Sequence, residues 1–139
     1  MIQAMRKGIE IEKTGKGLLP NSAKFISGAE YTMEIMKQAP VTIMILNTNK
    51  LIDTVTEEDK FYDIANIQSI GAAIQNMLLA ATDLGLGSLW ICDVFFAYEQ
   101  LTNWLNTNDQ LVAAVSLGYP AEAPFPRPRK NINVIIEWK

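Results

Sequence analysis

Residues 63–94 read DIANIQSIGAAIQNMLLAATDLGLGSLWICDV, and this stretch decides the fold. No charged residue lies between Asp63 and Asp83. One helical stripe is apolar and the opposite side is nearly as apolar; the stripe holds Ile67, Ile70, Ile74, Leu78 and Ala81. A helix that is apolar all round is buried. The pattern therefore predicts a buried helix over 63–84, with Asp63 as its N-cap and Gly85 just past its end.

A membrane span is the main rival to a buried helix, because the run is long and uncharged. Polar side chains interrupt it too often for that: Asn66, Gln68, Ser69, Gln75 and Asn76. The small-residue face at Gly71 and Ala72 allows another helix to approach closely. A buried helix is therefore the preferred interpretation.

The other elements are predicted outward from this helix by periodicity and by turn residues. On the N-terminal side we expect a helix tail over 1–8 closed by Gly8, a loop over 9–28, a helix over 29–38, a strand over 41–46 and an exposed polar turn at 57–59. On the C-terminal side we expect strands over 88–94, 111–117 and 132–138, and a helix over 97–106 with Leu101, Trp104 and Leu105 facing inward. This order predicts an α+β fold in which helices flank a mixed β-sheet.

Composition limits the function classes that fit the chain. Its 139 residues are predicted to form a single domain spanning 1–139. The contents of 49% hydrophobic and 19% charged residues predict that some surface is hidden in a subunit interface. A net charge of −3 argues against general nucleic-acid or anionic-membrane binding. Met1–Lys16 is charged throughout, so no signal peptide is expected. The single cysteine rules out an internal disulfide and predicts a cytoplasmic location. The chain contains no histidine, which excludes the usual Ser-His and Cys-His nucleophiles and most zinc sites.

Two motifs carry candidate chemistry. Gly85-Leu86-Gly87 turns the predicted helix directly into a strand, which either lets a flat ligand or a second backbone approach closely or is a plain helix end. Residues 117–130 read LGYPAEAPFPRPRK, an extended proline-rich arm that carries Arg127, Arg129 and Lys130. Two arginines two positions apart in an extended chain point the same way and suit a phosphate. Taken alone, the pattern is more often a solvated basic loop.

The other reactive or aromatic residues each have a structural explanation beside a functional one. Cys92 is either a nucleophile or, more simply, a small buried strand residue without a partner histidine. The three tryptophans either stack on a flat cofactor or pack in the core or an interface. No pair of carboxylates is spaced for general acid–base work, so no catalytic side chain and no metal ligand is predicted.

Taken together, these motifs resemble the FMN-dependent nitroreductase family. The resemblance runs from about Ala39 to Lys130 and follows the order QN, LAA, GLG-x-x-W, LGYP and the RPRK arm. It implies an α+β sandwich that forms a homodimer, with FMN bound between the subunits and with the segment 131–139 packed on the partner. It also implies electron transfer from NAD(P)H through FMN to nitroaromatic, quinone or similar small-molecule acceptors.

The same resemblance assigns the cofactor-binding residues. Trp90, Ile91, Cys92 and Asp93 would pass beside the flavin ring and donate backbone N–H groups to it, which would stabilise negative charge on the reduced ring. Arg127 and Arg129 would bind the FMN phosphate, with Lys130 as a helper.

Two elements typical of the family do not occur in this sequence: an early Arg-Arg-Ser-x-Arg element and a Pro-Ser-x-x-Asn-x-Gln stretch. The chain is therefore expected to be an N-terminally shortened form with weakened FMN binding. One alternative function is a non-catalytic dimeric remnant or a flavin-binding protein without turnover. Another is a module that binds a different phosphate-bearing ligand through the basic arm.

Overall fold

The computed structural model describes residues 1–17, 19, 21, 23–49 and 56–138. The helices are α1 (Ile2–Lys13), α2 (Ile26–Gln38), α3 (Glu57–Asp83) and α4 (Tyr98–Leu105), and the strands are β1 (Val41–Asn47), β2 (Gly87–Ile91) and β3 (Gln110–Gly118). Short 3-10 turns cover Ala23–Phe25, Asp93–Ala97 and Ile132–Val134. The predicted α+β class is confirmed.

The three described strands form one sheet in the order β1-β3-β2, and both pairs are antiparallel. Val41 lies opposite Leu117 in the first pair, and Trp90 lies opposite Val115 in the second. The predicted mixed sheet is therefore wrong for this part of the chain. β1 and β2 do run in the same direction, but β3 inserts between them, so they never pair as parallel neighbours.

The helices cover the two faces of the sheet separately. Ile74 of α3 packs with Ala113 and Val115 on one face. The larger core lies on the other face, where helices α1, α2 and α4 contribute Met5, Ile9, Ala29, Met33, Met36 and Leu101 to a cluster that contains Leu111 and Ala114.

A β-bulge in β3 explains how Leu111 and Ala114 share a face. The register shifts between Ile45 and Leu46, which pair with Ala113 and Leu111, so Val112 is the extra residue. An extra residue changes the alternation of side chains between faces. Leu111 consequently joins Ala114 on the larger core, whereas unbroken alternation would place it with Ala113.

Two predicted boundaries near the N-terminus are wrong. Helix α1 continues through Gly8 to Lys13, because Gly8 is buried where the helix packs against Ala97. Helix α2 begins at Ile26 instead of residue 29. Its buried stripe, Ala29, Met33 and Met36, has the spacing of a helix face, and this packing orders residues that the sequence had indicated as loop.

Helix α3 begins six residues earlier than predicted. Thr56 is its N-cap: the Thr56 Oγ1 accepts from the Asp59 N–H at 3.1 Å, and the Asp59 Oδ2 accepts from the Thr56 N–H at 2.8 Å. Such a capping box satisfies two otherwise unpaired donors. Asp63 is therefore an interior residue and not the cap, and 57–59 form the first helical turn instead of an exposed polar turn.

The prediction that α3 is buried all round is also wrong for the single chain. Ile74 is 1% exposed but Leu79, on the opposite side, is 59% exposed. No helix in the described ranges has the length and apolar character that crossing a membrane requires. The chain's own sheet covers only one side of this helix.

The C-terminal strand predicted over 132–138 does not form. Ile132–Val134 is a 3-10 turn, in which the Asn131 Oδ1 accepts from the Asn133 N–H at 3.0 Å. Every residue from 119 to 138 is exposed, including Val134 and Trp138. A strand needs a neighbouring edge to bond to, and this segment lies against no edge of the described sheet.

The last two differences concern β2 and α4. β2 ends at Ile91, and the chain turns into the 3-10 segment Asp93–Ala97 where the strand was expected to continue to residue 94. In α4, Leu101 is buried as predicted, whereas Trp104 is 51% exposed and does not face the core.

Candidate functional site

The turn from α3 into β2 positions the predicted flavin strand. Gly85 has a positive φ of 71°, its N–H donates to the Thr82 carbonyl at 3.0 Å, and the Leu86 N–H donates to the Ala81 carbonyl at 2.8 Å. This pair of bonds is a Schellman motif, which favours glycine at the left-handed position. Gly85 therefore ends helix α3. Gly87 lies close to Pro120 of the same chain.

The four residues predicted to line the flavin point in different directions. Ile91 is buried in the larger core. The Trp90 ring lies against Gly71 of α3 on the other face of the sheet. Cys92 and Asp93 follow the end of β2 and both line a cavity. The structure therefore places two of the four residues beside one cavity, and donation of their backbone N–H groups to a flavin stays a prediction.

This cavity, which we call the β2-end cavity, has a volume of about 490 Å³. Small-molecule sites have volumes of about 300–1,000 Å³. Its lining is largely apolar and aromatic, with one cation and one carboxylate: Leu19, Lys24, Phe25, Ser27, Gly28, Cys92, Asp93, Phe95 and Phe96. The arrangement suits a small planar molecule that carries a polar end.

A hydrogen bond between distant parts of the chain fixes the two walls of the cavity. The Thr32 hydroxyl of α2 donates to the Asp93 Oδ2 at 2.8 Å. Thr32 also lies 3.1 Å from the carbonyl oxygens of Gly28 and Ala29 in its own helix. The contact holds the start of the 3-10 segment against α2 and orients the Asp93 carboxylate.

Cys92 is exposed, so the prediction of a buried strand residue is wrong: β2 has ended one residue earlier. Partial burial, and then the neighbouring Asp93 carboxylate, raise the pKa of the Cys92 thiol above its ordinary value. A raised pKa disfavours the thiolate, which is the reactive form. The environment therefore argues against Cys92 as a nucleophile.

Arg127 and Arg129 are not among the residues that line the β2-end cavity. Both are exposed in the extended arm that follows β3. The Arg129 Nη1 donates to the Arg127 carbonyl oxygen at 3.2 Å, so one guanidinium turns back onto the backbone of the arm. The arm and the cavity are therefore separate features of the single chain.

Sequence reasoning missed the α2 side of the cavity, because Lys24, Ser27 and Gly28 fall in the region predicted as loop. One signal was available. The positions Ile26, Ala29, Met33 and Met36 are spaced by three, four and three residues, which is a helical stripe. Extending the helix to residue 26 would have placed Ser27 and Gly28 in its first turn.

The lining of the β2-end cavity is compatible with a flavin ring. Phe25, Phe95 and Phe96 provide flat apolar surface, and the start of the 3-10 segment adds polar backbone beside it. These residues fit a planar aromatic ring. The lining contributes one lysine and no arginine, so in the single chain this cavity alone does not form the predicted phosphate clamp.

The chain belongs to the nitroreductase family: the family model matches residues 1–119, from the first helix to the end of β3. The basic arm lies beyond that match. Two solved structures share the fold. A provisionally assigned oxidoreductase from Bacteroides fragilis NCTC 9343 is 17% identical with a TM-score of 0.63 over 97% of this chain. A BluB-like flavoprotein from Clostridium difficile 630 is 24% identical with a TM-score of 0.58 over 99%.

These two proteins are longer than this chain. The chain spans 62% of the Bacteroides protein and 75% of the Clostridium protein. At sequence identities of 17% and 24%, the similarity to these two proteins shows a shared fold and nothing further.

Proposed function

We propose that the protein is a flavin-dependent oxidoreductase that binds FMN and uses NAD(P)H to reduce nitroaromatic, quinone or similar acceptors. The observation that carries the proposal is the match of residues 1–119 to the nitroreductase family. An aromatic cavity at the end of β2 supports it, because its lining includes Cys92 and Asp93, two of the residues that the family resemblance assigns to the flavin ring.

The residues of this chain would bind and orient rather than transfer protons. FMN, when bound, supplies the redox chemistry, so no side chain has to act as a general acid or base. The phenyl rings of Phe95 and Phe96 would exclude water from one side of the ring, and the Thr32–Asp93 hydrogen bond would keep the neighbouring backbone in place. A chain without histidine suits this division of roles.

We also propose that the working form is a homodimer. The surface of the single chain is 10224 Å², about 3,000 Å² more than a folded monomer of 15.5 kDa normally exposes. Many of the exposed large apolar side chains lie on α3 and on 119–138. Large homodimer interfaces bury surface on this scale. The segment 131–139 is proposed to pack on the partner subunit. The cytoplasmic location, which is a separate expectation, stays a prediction.

Arg127 and Arg129 are proposed to bind the FMN phosphate in the dimer. Within the described ranges neither guanidinium forms an ion pair, so both are available to an anion. Charge-assisted hydrogen bonds of this kind contribute about 1.5–3 kcal/mol each.

The test is FMN binding by the purified full chain, followed by NAD(P)H oxidation with menadione or nitrofurazone as acceptor. Replacing both Arg127 and Arg129 with Ala should raise the Kd for FMN by about a hundredfold or more. Arg6→Ala, an exposed arginine of α1, is the matched control and should leave the Kd unchanged. A protein that neither contains nor takes up flavin contradicts the proposal.

A second candidate function is a non-catalytic dimer that binds flavin without turnover. It is favoured by the separation of the arginine arm from the β2-end cavity in the single chain. The same experiment distinguishes the two: this candidate predicts FMN binding without acceptor-dependent NAD(P)H oxidation.

A further inference from the structure

The carboxylate of Glu12 is buried at the end of α1, where an acid is unfavourable. Glu12 is 7% exposed and is the residue before Lys13, the last residue of the helix. The C-terminal end of a helix carries partial negative charge, and a buried carboxylate loses its contact with water. Because both effects oppose an acid at this position, the charged side chain needs hydrogen-bond donors from the protein.

The backbone beyond the helix supplies such a donor. The Leu19 N–H donates to both oxygens of the Glu12 carboxylate, at 3.2 Å to Oε2 and 3.4 Å to Oε1. A hydrogen bond to a charged acceptor is stronger than one between neutral groups. Leu19 belongs to no helix or strand, so this bond fixes its backbone relative to α1 where no regular element does.

Gly17 allows the backbone to approach the carboxylate closely, because it has no side chain. A Cβ placed at Gly17 would overlap the carboxyl carbon and both carboxyl oxygens of Glu12. The φ of Gly17 is not positive, so the close approach and not an unusual backbone conformation requires a glycine here. The chain after α1 therefore contacts the Glu12 carboxylate at two separate positions, 17 and 19.

Leu19 connects this buried carboxylate to the candidate site. The Leu19 side chain lines the β2-end cavity and packs against the larger core. Among the described lining residues, Leu19 alone comes from the connection between α1 and the 3-10 turn Ala23–Phe25. Its place in the cavity wall therefore depends on what holds that connection against α1.

From these contacts we propose that Glu12 is a positioning residue for the β2-end cavity. Its carboxylate holds the Leu19 backbone, and the Leu19 side chain forms one side of the wall. Glu12 does not itself line the cavity, so it acts through Leu19. One part rests on the proposed function, namely that the ring beside Leu19 is the flavin ring.

Amide hydrogen exchange of the full chain tests the positioning without a ligand. In Glu12→Ala the Leu19 N–H loses this acceptor, so its exchange rate should rise by about tenfold or more. Glu12→Gln keeps one acceptor oxygen and should give an intermediate rate. Glu10→Ala is the matched control, because Glu10 is exposed on α1 and pairs with Lys13 at 2.7 Å. Equal Leu19 rates in Glu12→Ala and Glu10→Ala overturn the proposal.

Gly17→Ala is a second route to the same question. The added methyl group displaces the Glu12 carboxylate while the acid itself is retained, so Leu19 exchange should again become faster. This variant and Glu12→Gln decide the matter if Glu12→Ala does not fold. Leu19 exchange at the wild-type rate in both of them overturns the proposal.

Binding of lumiflavin, the flavin ring without its ribityl chain and phosphate, tests the consequence for the cavity. Leu19→Ala should raise the lumiflavin Kd by about fivefold, because part of a leucine contact is lost. Glu12→Ala should raise it by a similar factor, and the double variant by no more than either change alone. Substitutions that act independently would instead have additive effects on the binding free energy. Glu10→Ala should leave the Kd unchanged.

The two experiments separate this proposal from the proposed function. If the wild type binds neither FMN nor lumiflavin, the proposed function fails, and the Leu19 exchange rates alone support or overturn the role of Glu12. If lumiflavin binds but its Kd is the same in Glu12→Ala as in the wild type, the positioning role is overturned while the proposed function stands. Additive effects of Glu12→Ala and Leu19→Ala overturn it as well.

Discussion

Gly8 determines how closely α1 approaches the segment after β2. A Cβ placed at Gly8 would overlap the Cα and Cβ atoms of Ala97 and would lie 2.7 Å from the Phe96 carbonyl oxygen. These are backbone and first side-chain atoms, which cannot move away by a change of rotamer. The glycine that the sequence indicates as a helix end is therefore a packing position.

Gly8→Ala should destabilise the fold by about 1–3 kcal/mol, because overpacking forces α1 away from Ala97. Gly28→Ala is the matched control, since a Cβ at Gly28 meets nothing within 4 Å and its φ is not positive. Alanine there should stabilise α2 by up to about 1 kcal/mol. Denaturant unfolding measures both changes, and equal effects at the two positions would contradict the packing role of Gly8.

The candidate site shows the limit of sequence reasoning about single residues. Trp90 to Asp93 are predicted to donate backbone N–H groups to a flavin, and where their side chains lie is a separate matter: they lie in the core, on the α3 face and at the cavity. Strand alternation separates Trp90 from Ile91, and the end of β2 turns Cys92 and Asp93 away. The sequence contains no local signal for which face meets which helix.

The start of α3 depends on the capping box of Thr56 and Asp59. The Thr56 hydroxyl and then its backbone N–H donate to the Asp59 carboxylate, and these bonds lower the Asp59 pKa below its ordinary value of 3.8. The unfolded chain has the ordinary pKa, so the stabilisation is present above that value. It is lost as the pH falls through the lower folded pKa.

Thr56→Ala should destabilise the protein by about 1 kcal/mol at neutral pH, because the first turn loses its side-chain acceptor. The Asp59 pKa should rise toward its ordinary value, which an NMR titration measures. Thr82→Ala is the control, because that hydroxyl donates to the Leu78 carbonyl within the same helix and caps nothing. An unchanged Asp59 pKa in Thr56→Ala would exclude the hydroxyl as the main cause of the shift.

At the scale of the whole molecule, one side of α3 is covered by the sheet and the other is not. Ile74 and Ala81 are buried, whereas Phe61, Leu79 and Leu84 are exposed. The sequence predicted an apolar helix buried on all sides, and this single chain covers half of it. The remaining surface is the basis of the proposed homodimer.

Leu79→Glu should therefore convert a dimer into a monomer, because it places a charge on the exposed apolar side of α3. Asn103→Glu introduces the same charge at an exposed position of α4 and should leave the dimer intact. Sedimentation velocity measures the two species. A wild-type chain that sediments as a monomer at micromolar concentration would show that this surface has another role.

The sequence by itself determined the features that depend on neighbouring residues. The long apolar run predicts α3, Gly85 marks its end, and the apolar runs locate all three described strands to within a few residues. The ordered motifs also identified the family that the later match confirms. Hydrophobic periodicity and turn chemistry act over about a dozen residues, so they can be read without the fold.

Only the tertiary structure decided how those pieces meet. The antiparallel sheet, the bulge at Val112 and the contact of Gly8 with Ala97 all join segments that are distant along the chain. The cavity depends on the same kind of contact, since Thr32 and Asp93 are 61 residues apart. Such contacts depend on packing and on which strand edges remain free, and no local pattern records either of these.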